Sequence, residues 1–146
     1  MGDLLKKLQK ARISEAVGAS VYHNFLKPGK YYIGDICYVL RDDIYDDVWG
    51  KKYEYNDGVY KVEGIEFAVA GTAYGDGTYE GSDGREYSVD AGVIGVVPEK
   101  LWKEDISNAP ELGRIVDVKN KLSFHARDGI FTIRLDGIRI VINTKE

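Results

Sequence analysis

Three aspartates, Asp35, Asp76 and Asp90, stand at bends or midpoints of strand-like runs. Two carboxylates facing one bond can act as general acid and base, as in glycoside hydrolysis. A hydrolase using Asp76 and Asp90 is therefore one reading, and the single thiol, Cys37, is a second candidate nucleophile. However, Cys37 lies in residues 36–40, whose apolar alternation predicts a half-buried strand. Free cysteine is among the most buried residue types. A reactive thiol sits at a helix N-terminus or beside a cation, and the sequence displays neither context. His23 and His125 lie far apart, with no companion ligand close in the chain. Asp76, Thr78, Glu80 and Gly81 fit the start of a calcium-loop register, but its twelfth position is Tyr87, where a bidentate acid is needed. No metal or other cofactor is expected, and no catalytic residue is assigned.

The run from residue 73 to 84 holds four glycines, two tyrosines and three acids. Glycine takes positive φ without penalty, so this stretch must turn sharply. Its tyrosines offer large amphipathic surfaces. The expected binding rim is therefore Tyr74, Asp76, Gly77, Thr78 and Tyr79, with Asp35, Tyr38, Trp49 and Asp90 nearby.

Positioning these residues falls to many short strands. The chain has 146 residues, 44% hydrophobic, with 17 glycines, 11 tyrosines and only 3 prolines. Strands are expected over residues 31–40, 53–55, 59–62, 65–73, 78–80, 86–97, 114–118, 122–126, 130–135 and 138–142. Residues 21–26 read as an extended connection or short strand. Residues 42–49 predict one or two helical turns capped by Asp42 and ended by Gly50. Pro98 opens a short helix. Asp57-Gly58 and Asp136-Gly137 are hairpin signals. Together they predict a mostly β fold, an antiparallel sandwich or barrel of about 8–10 strands. Residues 1–20 read as an N-terminal amphipathic helix, and 21–146 as a single β domain. In the helix, Leu4, Leu5, Leu8, Ala11 and Ile13 oppose Lys6, Lys7, Lys10 and Arg12. Residues 3–17 thus offer a surface for docking on the chain's own β domain, for homo-oligomerisation or for docking in an assembly.

The net charge of −4 is unevenly spread: residues 35–105 carry 17 acids against 7 bases. A nucleic-acid binder needs a basic stripe, so nucleic acid is not an expected partner. No apolar run is long enough to span a membrane, and no secretory signal is read. A protein or small-molecule partner in the cytoplasm is expected.

Residues 34–40 (Gly-Asp-Ile-Cys-Tyr-Val-Leu), 72–79 (Thr-Ala-Tyr-Gly-Asp-Gly-Thr-Tyr) and 89–98 (Val-Asp-Ala-Gly-Val-Ile-Gly-Val-Val-Pro) are the most distinctive segments. This stretch, 31–98, resembles a group of small uncharacterised β-rich proteins of phages, large DNA viruses and bacteria. The resemblance implies an intracellular, virus-encoded protein that binds a host factor or small signal molecule. It implies no catalytic residue.

Overall fold

The computed structural model describes residues 20–146, so the helix expected over 3–17 lies outside the described residues. Eleven strands form three antiparallel sheets among them. The first sheet has four strands in the order β1 (Ser20–Phe25), β9 (Leu122–Arg127), β10 (Ile130–Leu135) and β11 (Ile138–Asn143). The second has five, in the order β3 (Gly58–Val62), β4 (Ile65–Gly71), β7 (Val93–Pro98), β2 (Gly29–Gly34) and β8 (Arg114–Val118). A ribbon of β5 (Gly77–Glu80) and β6 (Glu86–Val89) completes the set.

Side-chain alternation explains how the sheets stack. In the four-stranded sheet, Phe124, Phe131, Ile133, Ile140 and Ile142 point inward and are buried, while Ser123, Thr132, Arg134 and Arg139 point outward. The inward set shares one core with Tyr31, Ile33, Ala68, Ala70, Ile94 and Val96 of the five-stranded sheet. The intervening residues of those same strands, Tyr32, Phe67, Val69, Val93 and Val97, enter a second core. The five-stranded sheet is therefore buried on both faces, which is why β7 is almost continuously apolar. Gly95 lies at its centre, where a Cβ would overlap the Ala68 carbonyl and press on Ile36. The second core is roofed by segments 35–55 and 99–112, which contribute Ile36, Leu40, Ile44, Trp49, Leu101 and Ala109.

This roof overturns several sequence expectations. Residues 36–40 do not form a strand. Ile36–Tyr38 is a 3-10 turn capped by Asp35. Burial there does not alternate: Ile36, Val39 and Leu40 enter the second core at the three-residue spacing of a turn, with Cys37 and Tyr38 half-buried between them. Residues 42–49 continue past Gly50 as a π-helical segment, Ile44–Lys52, in which the Tyr53 N–H reaches back to the Val48 carbonyl at 3.0 Å. Residues 53–55 form a turn, with Glu54 and Tyr55 at positive φ. Asp57-Gly58 does not close the hairpin. β3 pairs with β4 around Glu63-Gly64, both at positive φ (55° and 77°), the pairing expected of a type I′ loop. Asp57 instead accepts a hydrogen bond from the Gly71 N–H at 3.0 Å. The strand expected over 86–97 is broken at 90–92. By contrast, β8 has the expected bounds, β9 and β11 extend one residue further, and Asp136-Gly137 closes β10 onto β11 with φ of 41° and 83°.

Candidate functional site

Asp35 organises one end of the molecule. It has no solvent exposure. One carboxylate oxygen accepts the Cys37 N–H at 2.9 Å. The other accepts the N–H groups of Asp90 and Ala91 at 2.8 and 2.7 Å. Three backbone donors therefore converge on a side chain at the end of β2, which breaks the strand after β6 and pins it to the 3-10 turn. Burial pushes the Asp35 carboxyl up from its usual range, against the pull of these donors. The Cys37 thiol lies beside the same carboxylate. Burial first, and then the carboxylate beside it, push that thiol far above its ordinary value. The Lys103 ammonium sits 3.3 Å from the Cys37 carbonyl, and its charge is too weak to reverse this. A thiol held protonated is the opposite of an activated nucleophile.

Around this pin lie groups that reach the surface. The half-buried Tyr38 hydroxyl lies near the exposed Asp90 side chain; burial and the neighbouring acidic groups push its pKa up to about 12. The next loop joins the same end. Thr72 takes the Gly92 carbonyl through its N–H at 3.0 Å, and its hydroxyl donates to the Gly75 carbonyl at 2.7 Å. The Thr144 hydroxyl accepts the Ala73 N–H at 2.9 Å and bonds the Gly129 carbonyl, tying in the β9–β10 turn. Loops 35–38, 72–76, 90–92 and 128–129 thus form one connected rim.

The predicted residues divide on this frame. Tyr74 is 73% exposed. Asp76, Gly77 and Thr78 are exposed, with Gly77 and Thr78 already in β5 opposite Val89 and Ser88. Tyr79 is buried in the first core, its hydroxyl donating to the Gly75 carbonyl at 2.8 Å, so it shapes the turn from below. Trp49 is fully buried in the second core, its indole N–H on the Asn56 carbonyl at 2.9 Å and its ring packed edge-on against Tyr45 and Tyr55. It is a core residue, because the roof covers it. Asp35 lies beneath the rim, with all its oxygens engaged. Tyr38 and Asp90 lie near each other at the surface, and Tyr74 and Asp76 belong to the adjoining loop.

Sequence reading missed Thr144 and Lys103, whose roles depend on partners far away in the chain. It also missed a second carboxylate that ties segments together, the half-buried Asp83. Asp83 accepts hydrogen bonds from the Tyr87 hydroxyl at 2.7 Å and from Arg114 at 3.0 Å. Burial works against its charge. The bonds from Tyr87, the Arg85 N–H and Arg114 outweigh burial and hold the carboxyl below its usual range.

Both histidines have structural surroundings. His23 packs edge-on against Phe25 and lies 3.5 Å from the Glu66 carboxylate, and His125 packs against Tyr22. Among the described residues, no helix is long and apolar enough to cross a membrane. No family model matches the chain, and no curated protein or solved structure matches it either.

Proposed function

We propose that this protein is a non-enzymatic binding module whose rim, carrying Tyr38, Tyr74, Asp76 and Asp90, receives a partner protein through exposed Lys or Arg side chains. The observation that supports this most is Tyr74. It leaves 73% of its surface in water on a loop fastened by Thr72, Gly92 and Thr144. An exposed aromatic on a fixed support is a ready interface anchor. Exposed acids on the same rim supply charge for a cation, and the tyrosine ring adds cation–π attraction of about 0.5–1 kcal/mol at an exposed site. The fully engaged carboxylate of Asp35 and the protonated thiol of Cys37 favour this reading over hydrolysis through Cys37. The scaffold is read as a sandwich, since among the described residues no strand ladder joins the two large sheets. The resemblance to viral proteins adds a host protein as the partner class and the cytoplasm as the place of encounter.

The test is a nuclear magnetic resonance titration with a hexa-arginine peptide, with hexa-glutamate as control. Amide shifts should concentrate at Tyr38, Tyr74, Asp76 and Asp90, and Tyr74→Ser should weaken them severalfold without changing the melting temperature. Shifts spread evenly over every acidic surface, or none at all, would overturn the reading. The single change is preferred over one that includes Tyr79, because Tyr79 is a core residue.

A further inference from the structure

The outer face of the four-stranded sheet carries a second feature, at the end of the strands away from the rim. The rim takes in the β9–β10 turn, whereas this feature lies at the β10–β11 turn. Strand register places Ser123, Arg134 and Arg139 directly opposite one another across β9, β10 and β11. All three point outward, forming a row about 10 Å long at the usual strand spacing. Like charges directly opposite on one face destabilise a sheet, so an arginine pair at this position calls for a reason.

Among the described residues, neither Arg134 nor Arg139 makes an ion pair. The nearest acid in the sequence, Asp136, is turned to another task, accepting the backbone N–H groups of Lys119 and Asn120 at 2.8 and 3.2 Å. The pair lines a groove of about 380 Å³ that Lys121 and Ser123 also line, with Ile138, 46% exposed, on its wall. That volume lies within the range of small-molecule sites.

We infer that this groove is an anion site for a small molecule bearing a phosphate monoester. Guanidinium groups engage phosphate oxygens through paired N–H donors, and the Ser123 hydroxyl is placed in the same row to add a neutral donor. Three cations and the one carboxylate of Asp136 leave two net positive charges in the groove. That matches the charge of about −1.5 to −2 on a phosphate monoester at neutral pH. Ile138 gives the ester's carbon skeleton an apolar surface. This site is independent of the rim and of the partner proposed for it.

The test is calorimetric titration of the full chain with glycerol phosphate at constant ionic strength, with chloride and succinate as controls. Saturable binding by the phosphate ester, weakened at least tenfold in Arg134→Gln and in Arg139→Gln and unchanged in Arg127→Gln, is the expected result. Arg127 lies on the same face at the far end of β9. The ester should also raise the melting temperature of the wild type and leave that of the Arg134→Gln, Arg139→Gln double variant unmoved. Absence of saturable binding, equal binding of succinate, or equal loss in Arg127→Gln would each overturn the assignment.

Discussion

Asp35 and Asp83 are the same residue type put to the same use, each tying distant chain segments together, yet their surroundings differ in kind. Asp35 joins β2 to the break after β6 with backbone N–H donors. Asp83 joins the β5–β6 turn to β8 with a guanidinium and a phenol. Asp35, fully buried and held by backbone N–H groups, is raised by burial, whereas Asp83, half-buried and held by the Tyr87 hydroxyl, the Arg85 N–H and the Arg114 guanidinium, is lowered. Depth of burial and the donors that meet the carboxylate together set the direction.

The severest way to break this comparison is Asp35→Ala. It strands the N–H groups of Cys37, Asp90 and Ala91, and each buried donor left unpaired costs about 1–3 kcal/mol. Urea unfolding should show a loss of roughly 3 kcal/mol or more. A loss under about 1 kcal/mol, the worth of a single ordinary hydrogen bond, would mean that the pin is not structural.

A finer cut comes from pH. The folded pKa of Asp83 lies below the ordinary 3.8, so its contribution is complete above that value and fades as pH falls through the folded pKa. The folded pKa of Asp35 lies above 3.8, so its contribution is complete below that value and fades as pH rises through the folded pKa. The stability gap between wild type and Asp83→Asn, about 1–2 kcal/mol at neutral pH, should therefore narrow in acid. The gap between wild type and Asp35→Asn should narrow in the opposite direction. Two gaps that narrow together would dissolve the contrast.

The smallest effect belongs to the thiol. Cys37→Ala removes the half-buried thiol beside Asp35 but leaves its backbone N–H donor in place, and should cost about 1 kcal/mol or less. Native Cys37 should react slowly with a thiol reagent at neutral pH and rapidly once unfolded. Fast native labelling would mean a thiolate, and a carboxylate with a different neighbourhood.

The two pins also mark where sequence reading stopped. Strands β8 to β11 were legible because each alternates on one buried face, and β9 and β10 each end in a two-residue Asp-Gly loop. The Arg134–Arg139 pairing follows from the same loop, since a two-residue turn at 136–137 fixes the register. Asp57-Gly58 misled because its carboxylate serves the Gly71 N–H, and the true turn uses Glu63 in a conformation that glutamate rarely adopts. Residues 86–97 read as one strand because the group that interrupts them, Asp35, lies 55 and 56 positions away from its partners there. Trp49 read as rim because its burial depends on a second core that no local pattern announces. Asp90 stood out by its place in a strand-like run, whereas Lys103 and Thr144 gave no local signal of their roles.

The turn that Asp83 holds has an effect on how separate molecules meet. Residue 81 bridges β11 at Ile142, and Ser82 satisfies Val141 on both sides, donating its N–H to the carbonyl at 2.8 Å and accepting the N–H on its hydroxyl at 2.8 Å. One serine in a turn thereby does for the β11 edge what a neighbouring strand would do. An open edge of this kind is a template for strand addition by another chain. Along Val141 that template is closed for as long as the turn stays seated. Resistance to edge-to-edge aggregation at this strand accordingly rests on an ion pair, Asp83 with Arg114, in another part of the molecule.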